Sequence, residues 1–445
     1  MVNEMILDIN KNTVNEIQNP TLRSYAEIYV HIYQDFLNQV AQTGIEIDSE
    51  DYTDLAREKM EQLSKRGAVV RNDQKSVYIN QISPACIACQ KGVGSLTFFI
   101  SLKCNRDCFF CFNPNQEDFD YNYHHQRDLI AELKEVKGQG LQIDHLALTG
   151  GEPLIYLDES LAFFRESKNL FPQAYKRLYT NGDFVNEDVL AKLQAAGLQE
   201  IRFSIRMHDL EKGNDYIFDR IAKARKYLPF VMVEMPVLPD KFEEMKDVIL
   251  RLDQLGLYSI NLLELCFPYY NAQIYRDYGY KVKAHPYRVL YDYWYAGGLP
   301  ISKSELVCLD LISFALDNHI RMGIHYCSLE NKHTGQVYLQ NTSHKTPSNA
   351  YFSRRDYFLK TAKVFGEDVE PVRHFFDKNG YHQYLINQEY NYLEFHVSKV
   401  RMLSRFDIEV GISTNIFEER NGETYMRELK VDVTNPQSFR LSVDI

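Results

Sequence analysis

The chain has 445 residues, room for two or three domains of ordinary size and for a large core that needs no disulfide staples. Fifty Lys and Arg against 61 Asp and Glu leave a formal charge of −11, which argues against a surface built for a phosphate backbone, so no nucleic-acid partner is expected. No apolar run approaches the roughly 18 residues that span a bilayer, and the acidic start Met1–Asp8 lacks the features of a secretory signal; the expectation is a cytoplasmic protein without a membrane partner.

Residues 1–82 read as a helix–helix–hairpin module, a possible docking site for a partner protein or a simple packing extension. Pro20 suits a first helical position, and Tyr25, Ile28, Tyr29, Ile32, Phe36 and Val40 recur at helical spacing up to Gly44. A second helix carries Leu55, Met60 and Leu63 and stops at Gly67. Ala68–Val70 and Val77–Ile79 then flank a polar turn at Asn72-Asp73. Residues 83–94 form a linker containing Cys86-x2-Cys89.

From 95 to 268 short β-rich runs alternate with helical patterns, the mark of βα units and a parallel sheet. The expected strands are Leu96–Lys103, His145–Thr149, Lys176–Thr180, Glu200–Arg206, Phe230–Val237 and Ser259–Cys266. Six such strands suggest an open α/β barrel, with chemistry at their carboxyl ends. An extension follows over 269–345, with helices expected around Tyr287–Tyr295 and Ser304–Asn318. Residues 346–445 read as an α+β region with a strand-like end from Ile408.

Five of the eight cysteines fall between Cys86 and Cys111, a clustering that points to metal in a reducing compartment. Cys104, Cys108 and Cys111 stand as C-x3-C-x2-C directly after the first barrel strand. Three thiolates in one loop can hold three corners of a four-iron cluster and leave the fourth iron open to a ligand. At the end of the next strand comes Gly150-Gly151-Glu152-Pro153, glycines that permit close backbone approach and a carboxylate that can accept from an ammonium group. In this order, on adjacent strand ends, the two motifs resemble the radical S-adenosylmethionine (radical SAM) superfamily over about Leu96 to Cys266. A zinc knuckle is the blander reading of the cysteines, with the second motif then a coincidence.

The resemblance implies a partial (β/α)6 barrel in which Cys104, Cys108 and Cys111 ligate a 4Fe–4S cluster. It also implies that Phe110 lies against the adenine of SAM and that Gly150, Gly151 and Glu152 receive its amino group. Ser204 and Arg206 would contact its ribose or carboxylate, with Asn181 taking part. The implied chemistry is one-electron reductive cleavage of SAM, fed by a donor such as flavodoxin or ferredoxin, and hydrogen abstraction from substrate by a 5′-deoxyadenosyl radical.

Strand alternation offers an independent check. Turning Ile201, Phe203 and Ile205 outward sends Arg202, Ser204 and Arg206 inward, and the same parity is expected to send Glu234, Glu264 and Cys266 inward. Glu264 and Cys266 are thereby candidate catalytic groups, against structural readings as a satisfied carboxylate and a lone core thiol. Cys86, Cys89, Cys308 and Cys327 have the makings of one auxiliary four-sulfur site for iron, zinc or a second cluster, with His325 and His333 as substitutes and idle buried thiols as the alternative. Five spare cysteines are too few for the two auxiliary clusters of the SPASM extension. The expected function is modification of a ribosomally made peptide. A small-molecule radical SAM enzyme is the main rival, a glycyl-radical activase a lesser one, and a zinc-stabilised binding protein the alternative of another class.

Overall fold

The computed structural model describes residues 6–211, 213, 215–291 and 298–445, which form two compact units. The first comprises 1–42, 287–292 and 336–445, the second 43–286 and 293–335. Among the described residues no helix is long and apolar enough to cross a membrane.

The second unit is built on a nine-stranded sheet. Its parallel strands are β3 (Ser95–Phe99), β4 (His145–Thr149), β5 (Tyr175–Thr180), β6 (Glu200–Phe203), β7 (Phe230–Val237) and β8 (Ser259–Glu264), paired in that order. Leu146-Ala147-Leu148 of β4 and Val231-Met232-Val233 of β7 are apolar runs of the kind that strands covered on both faces show, whereas β5 and β6 carry Lys176-Arg177 and Arg202 among their apolar residues. Helices return the chain between them, each with its own local start signal. Asp128 caps Leu129–Gly138 by accepting from Ala131 N, and Asn186 caps Glu187–Ala196 by accepting from Val189 N. The chain thus forms the expected open α/β barrel.

The sheet also continues beyond the six expected strands. Gly323–Cys327 adds a seventh parallel strand beside β8, and the hairpin β1 (Val69–Arg71) and β2 (Ser76–Ile79) extends the sheet antiparallel to it. The helix Ser304–Asp317 covers the outer face of β7, β8 and Gly323–Cys327. The expected 1–82 module therefore does not exist as a unit. Its hairpin and helix α2 (Thr53–Lys65) belong with the barrel, because Ser76–Ile79 satisfies its backbone groups against Gly323–Cys327.

Helix α1 (Pro20–Gln42) belongs to the other unit, where Leu22, Tyr25 and Ala26 share an apolar cluster with Phe365, Val431 and Val433. That unit is an antiparallel sheet of Tyr384–Asn387, Tyr392–His396, Leu359–Phe365, Val410–Arg420 and Glu423–Thr434, with Tyr351–Phe352 on its margin. Val372, Phe375 and Phe376 of the helix Val369–Lys378 cluster with Ala362, Val364 and Phe395. The helix expected around Tyr287–Tyr295 is absent over 287–291, and its remainder lies outside the described residues, as do Met1–Met5 of the start.

Candidate active site

The cysteine loop leaves β3 and is held by backbone bonds at its base. Leu102 N donates to Asn122 O at 2.9 Å, and Cys111 N donates to Cys108 O at 2.9 Å. The Gly-Gly-Glu loop after β4 is bonded directly to it, with Gly151 N to Ser101 O at 3.1 Å and Glu152 N to Lys103 O at 2.9 Å. A Cβ on Gly150 would stand 2.5 Å from Ser101 O, and one on Gly151 2.0 Å from Lys103 O. What these glycines admit at such range is the backbone of the cysteine loop, a partner that motif reading alone did not anticipate. The Gly150 carbonyl accepts from Asn113 Nδ2 at 2.8 Å.

Glu152 is 1% exposed. Its carboxylate accepts from Leu154 N at 3.1 Å, Thr180 Oγ1 at 2.8 Å and Asn181 N at 2.7 Å, three of about four acceptor positions. Burial pushes its carboxyl up to about 6 against those bonds. The carboxylate thereby ties the end of β4 to the end of β5.

Charge fixes the free flank of the cysteine loop. Arg106 places two guanidinium nitrogens on Asp183, at 2.7 and 2.6 Å, and a third 3.3 Å from Asp209. Arg206 grips Asp209 at 2.6 and 2.8 Å and brings Nη1 to 3.8 Å from Cys108 Sγ. Asn181 Nδ2 bonds Asn105 Oδ1 at 2.7 Å and lies 3.9 Å from Cys104 Sγ. Burial pushes all three thiols up, Cys111 to about 11, so loss of their protons falls to a bound metal. Donors aimed at Cys104 and Cys108 suit the thiolate form.

Among the described residues no three His, Cys, Asp or Glu side chains converge as the ligands of one ion would. A cluster of several irons, each taking one thiolate, asks for a wider spacing. The donor set fits a cluster on this loop.

Burial pushes the Asp183 carboxyl upward, yet hydrogen bonds from Arg106, Tyr216 and Asn105 outweigh it and hold the group at about 2, below its ordinary 3.8. The depressed value contributes stability that is complete above pH 3.8 and is lost as pH falls toward 2, on the order of 2 kcal/mol. Asp183→Asn is therefore expected to flatten the acid limb of the stability–pH curve between about pH 4 and 2. Urea midpoints measured across that range check this, and an unchanged slope would remove the clamp.

The inner face of the sheet is polar, as alternation implies. Arg202, 4% exposed, reaches Glu200 at 2.6 Å, Glu234 at 2.8 Å and Ser83 Oγ at 3.1 Å. Asn261 Nδ2 donates to Glu234 at 2.7 Å, and its Oδ1 meets His325 Nδ1 at 3.0 Å. His325 Nε2 meets Ser76 Oγ at 2.7 Å. Both ring nitrogens of His325 are thus engaged, which leaves neither for a metal, and burial pushes its pKa down to about 3, so the ring is a neutral strut.

One expectation from parity fails. Asn261 faces inward on β8, so Glu264, three residues on, faces the helices, where it accepts from Lys283 Nζ at 2.9 Å and Leu329 N at 2.9 Å. Lys283 also binds Glu305 of the helix Ser304–Asp317 at 2.6 Å, which makes Glu264 a structural carboxylate. Cys308 lies on that same helix, fully buried on the outer side, whereas Cys327 shares the inward parity of His325. Among the described residues no three or more of these side chains gather as metal ligands would, so no four-cysteine site closes.

Beyond Glu264 the strand breaks, because Leu265 N turns to Ser304 Oγ and Cys266–Phe267 pairs with Leu299–Pro300. Cys266 consequently does reach the mouth, its Sγ 3.8 Å from Phe110 O. Phe110 packs edge-on against Phe109, and Ser204 N bonds Thr180 O at 2.9 Å. Sequence reasoning missed Arg106, Asp183, Asp209 and Asn261. The charged pair Arg106-Asp107 between two cysteines is the one local signal for the clamp.

Residues 98–252, the segment bearing both motifs, match the family model described as the Radical SAM superfamily. Over 201 residues the chain is 28% identical to a "Putative glycyl-radical enzyme activating enzyme" of Methanocaldococcus jannaschii, covering 42% of this chain and 51% of that protein. Over 178 residues it is 30% identical to a "Probable GTP 3′,8-cyclase" of Saccharolobus islandicus, covering 36% and 54%. The chain therefore spans about half the length of these curated relatives. Among solved structures, Streptococcus suis SuiB bound to precursor peptide SuiA aligns at 12% identity and TM-score 0.39 over 71% of this chain and 66% of that one. An anSMEcpe structure with bound AdoMet aligns at 18% and 0.34 over 39% and 51%.

Proposed function

We propose that this chain is a radical SAM enzyme acting by hydrogen abstraction, with a ribosomally made peptide as its substrate. The observation that carries the reading is the bonding of the C-x3-C-x2-C loop onto the Gly-Gly-Glu loop at the carboxyl ends of β3 and β4, inside a segment that matches the superfamily model.

A cluster and SAM, when bound, supply one-electron cleavage of the sulfonium and a 5′-deoxyadenosyl radical. Cys104, Cys108 and Cys111 hold the cluster, and Asn181 and Arg206 set donors beside two of those sulfurs. Phe110 would lie against the adenine. The carbonyl of Gly151 and the remaining lone pair of Glu152 would receive the amino group, and Ser204 would line the ribose side. Cys266, which burial pushes up to about 11, stays a neutral thiol at the mouth and can return a hydrogen atom to substrate. A low-potential donor such as flavodoxin or ferredoxin provides the electron.

The peptide reading is supported by the separate sheet unit beyond the barrel, which a minimal radical SAM domain does not need. The small-molecule reading is favoured by the cyclase named among the relatives. Protein reconstituted without oxygen and reduced with dithionite is expected to convert SAM to 5′-deoxyadenosine, read by mass spectrometry. Replacing Cys104, Cys108 and Cys111 together by Ala should abolish it. An intact protein that holds zinc, no iron, and forms no 5′-deoxyadenosine would turn the reading to the binding protein.

A further inference from the structure

The tyrosine-rich stretch after the barrel strands forms a strap stitched to the cysteine loop. Beyond the break at Leu265, Cys266–Phe267 leads into Pro268-Tyr269-Tyr270-Asn271. Tyr270 donates its hydroxyl hydrogen to the carbonyl of Cys111, and Asn271 Nδ2 donates to the carbonyl of Phe109 at 3.4 Å. In the other direction Asn115 Nδ2 donates to Pro268 O at 2.5 Å. The helix Ala272–Asp277 then carries the fully buried Tyr275, whose ring packs edge-on against Phe109 and Phe267, at 5.2 Å from each. Its hydroxyl donates to Cys266 O at 2.5 Å. Just past that helix Tyr278 stacks on Phe109, with ring centroids 5.8 Å apart.

A backbone outlier marks the same place. Tyr269 and Asn271, on either side of Tyr270, both hold left-handed backbones, with φ 66° and 60°. Asparagine tolerates that region, whereas a tyrosine enters it only when its surroundings enforce it. Such strain collects where a side chain must be aimed. The side chain aimed here is that of Tyr270, at the backbone of the last cysteine of the trio. The other two cysteines have outside partners as well, Asn181 at 3.9 Å from Cys104 Sγ and Arg206 at 3.8 Å from Cys108 Sγ. With Tyr270, each of the three is addressed by a residue from beyond a different strand. The phenol stands far along the chain from both motifs, so motif reading does not find it.

We propose that Tyr270 is a positioning residue for the cluster: its hydroxyl fixes the Cys111 peptide, and with it the direction from which that thiolate meets iron. Asn271 steadies Phe109, the neighbour of Phe110, in the same way. The proposal rests on the reading of Cys111 as a cluster ligand. Partners that orient a ligand act on the metal through that ligand's geometry. Because the strap begins at Cys266, whose Sγ stands 3.8 Å from Phe110 O, it also ties the thiol at the mouth and the cysteine loop into one body.

Tyr270→Phe removes one oxygen and keeps the ring. In the metal-free full chain, hydrogen–deuterium exchange over residues 104–112 is expected to quicken about fivefold, the loss of one hydrogen bond. This arm needs neither cluster nor turnover, so it reads the contact whether or not the chain cleaves SAM. After anaerobic reconstitution with iron and sulfide, Tyr270→Phe should hold as much iron as the intact protein. The electron paramagnetic resonance spectrum of its reduced cluster should show shifted g values, and 5′-deoxyadenosine should form about tenfold more slowly. Asn271→Gly keeps the left-handed turn and loses the bond to Phe109, and should act in the same direction more weakly. Tyr121→Phe, at a ring 63% exposed whose hydroxyl bonds nothing among the described residues, should move none of these readings. Exchange unmoved by Tyr270→Phe would remove the contact, and faster exchange with an unchanged spectrum would leave Tyr270 a structural tether; either result overturns the proposal. Absence of iron from the intact protein would instead refute the cluster itself, and the positioning role with it.

Discussion

Arg202→Met is expected to destabilise the barrel unit by about 3–5 kcal/mol at neutral pH, because it removes one partner of a buried ion pair and strands the other. Glu200 is fully buried. Burial alone would raise its carboxyl, and Arg202 outweighs that effect and holds it below the ordinary range. Without the guanidinium, Ser83 and Tyr175 still donate to Glu200 Oε2, at 2.6 and 2.9 Å, but Oε1 loses its partner. Glu234 keeps only Asn261. The variant should therefore recover stability as the medium is acidified and Glu200 takes up a proton. The double variant Glu200→Gln/Arg202→Met should be less damaged at neutral pH than the two single losses added together. Urea unfolding at several pH values measures all three, and a loss under about 1 kcal/mol for Arg202→Met would show that the pair is not what joins β6 to β7.

Gly151→Ala is expected to be the most damaging single methyl in the site. Its Cβ would meet Lys103 O at 2.0 Å, Lys103 C at 2.3 Å and Leu102 O at 2.5 Å, all backbone atoms of the cysteine loop. Relief requires the two loops to part, at the expense of the Gly151 N to Ser101 O and Glu152 N to Lys103 O bonds. Overpacking and two weakened bonds together cost about 3 kcal/mol. Displacement of the loop by about 1 Å should lower 5′-deoxyadenosine formation on the order of 100-fold. Gly138 is the control, since a Cβ there meets nothing within 4 Å; Gly138→Ala should leave activity unchanged. Equal behaviour of the two variants, in iron content and in thermal midpoint, would mean that the loop contact is not needed.

These predictions separate two kinds of information. Strands β4 and β7 were legible to the residue, because a parallel strand buried on both faces writes its limits as an apolar run between turn residues. The cysteine trio was legible as a cluster of thiols because its members sit within eight consecutive positions of one loop. The inward row at Arg202 and Glu234 followed from a period of two. Parity stopped being a guide where the strand was interrupted: Glu264 and Cys266 were expected on one inward face, and a break at Leu265 parts them.

The local pattern of this chain therefore specified an open α/β barrel, a loop of three clustered cysteines and the polarity of the inner wall, all properties of segments a few residues long. Long-range pairing alone settled the rest. Gly323–Cys327 joined the sheet, α1 left its sequence neighbours for the C-terminal strands, and Arg106 found Asp183 across 77 positions. Such choices depend on which distant backbone edge or apolar face is left to be covered, and periodicity within a segment carries no record of that.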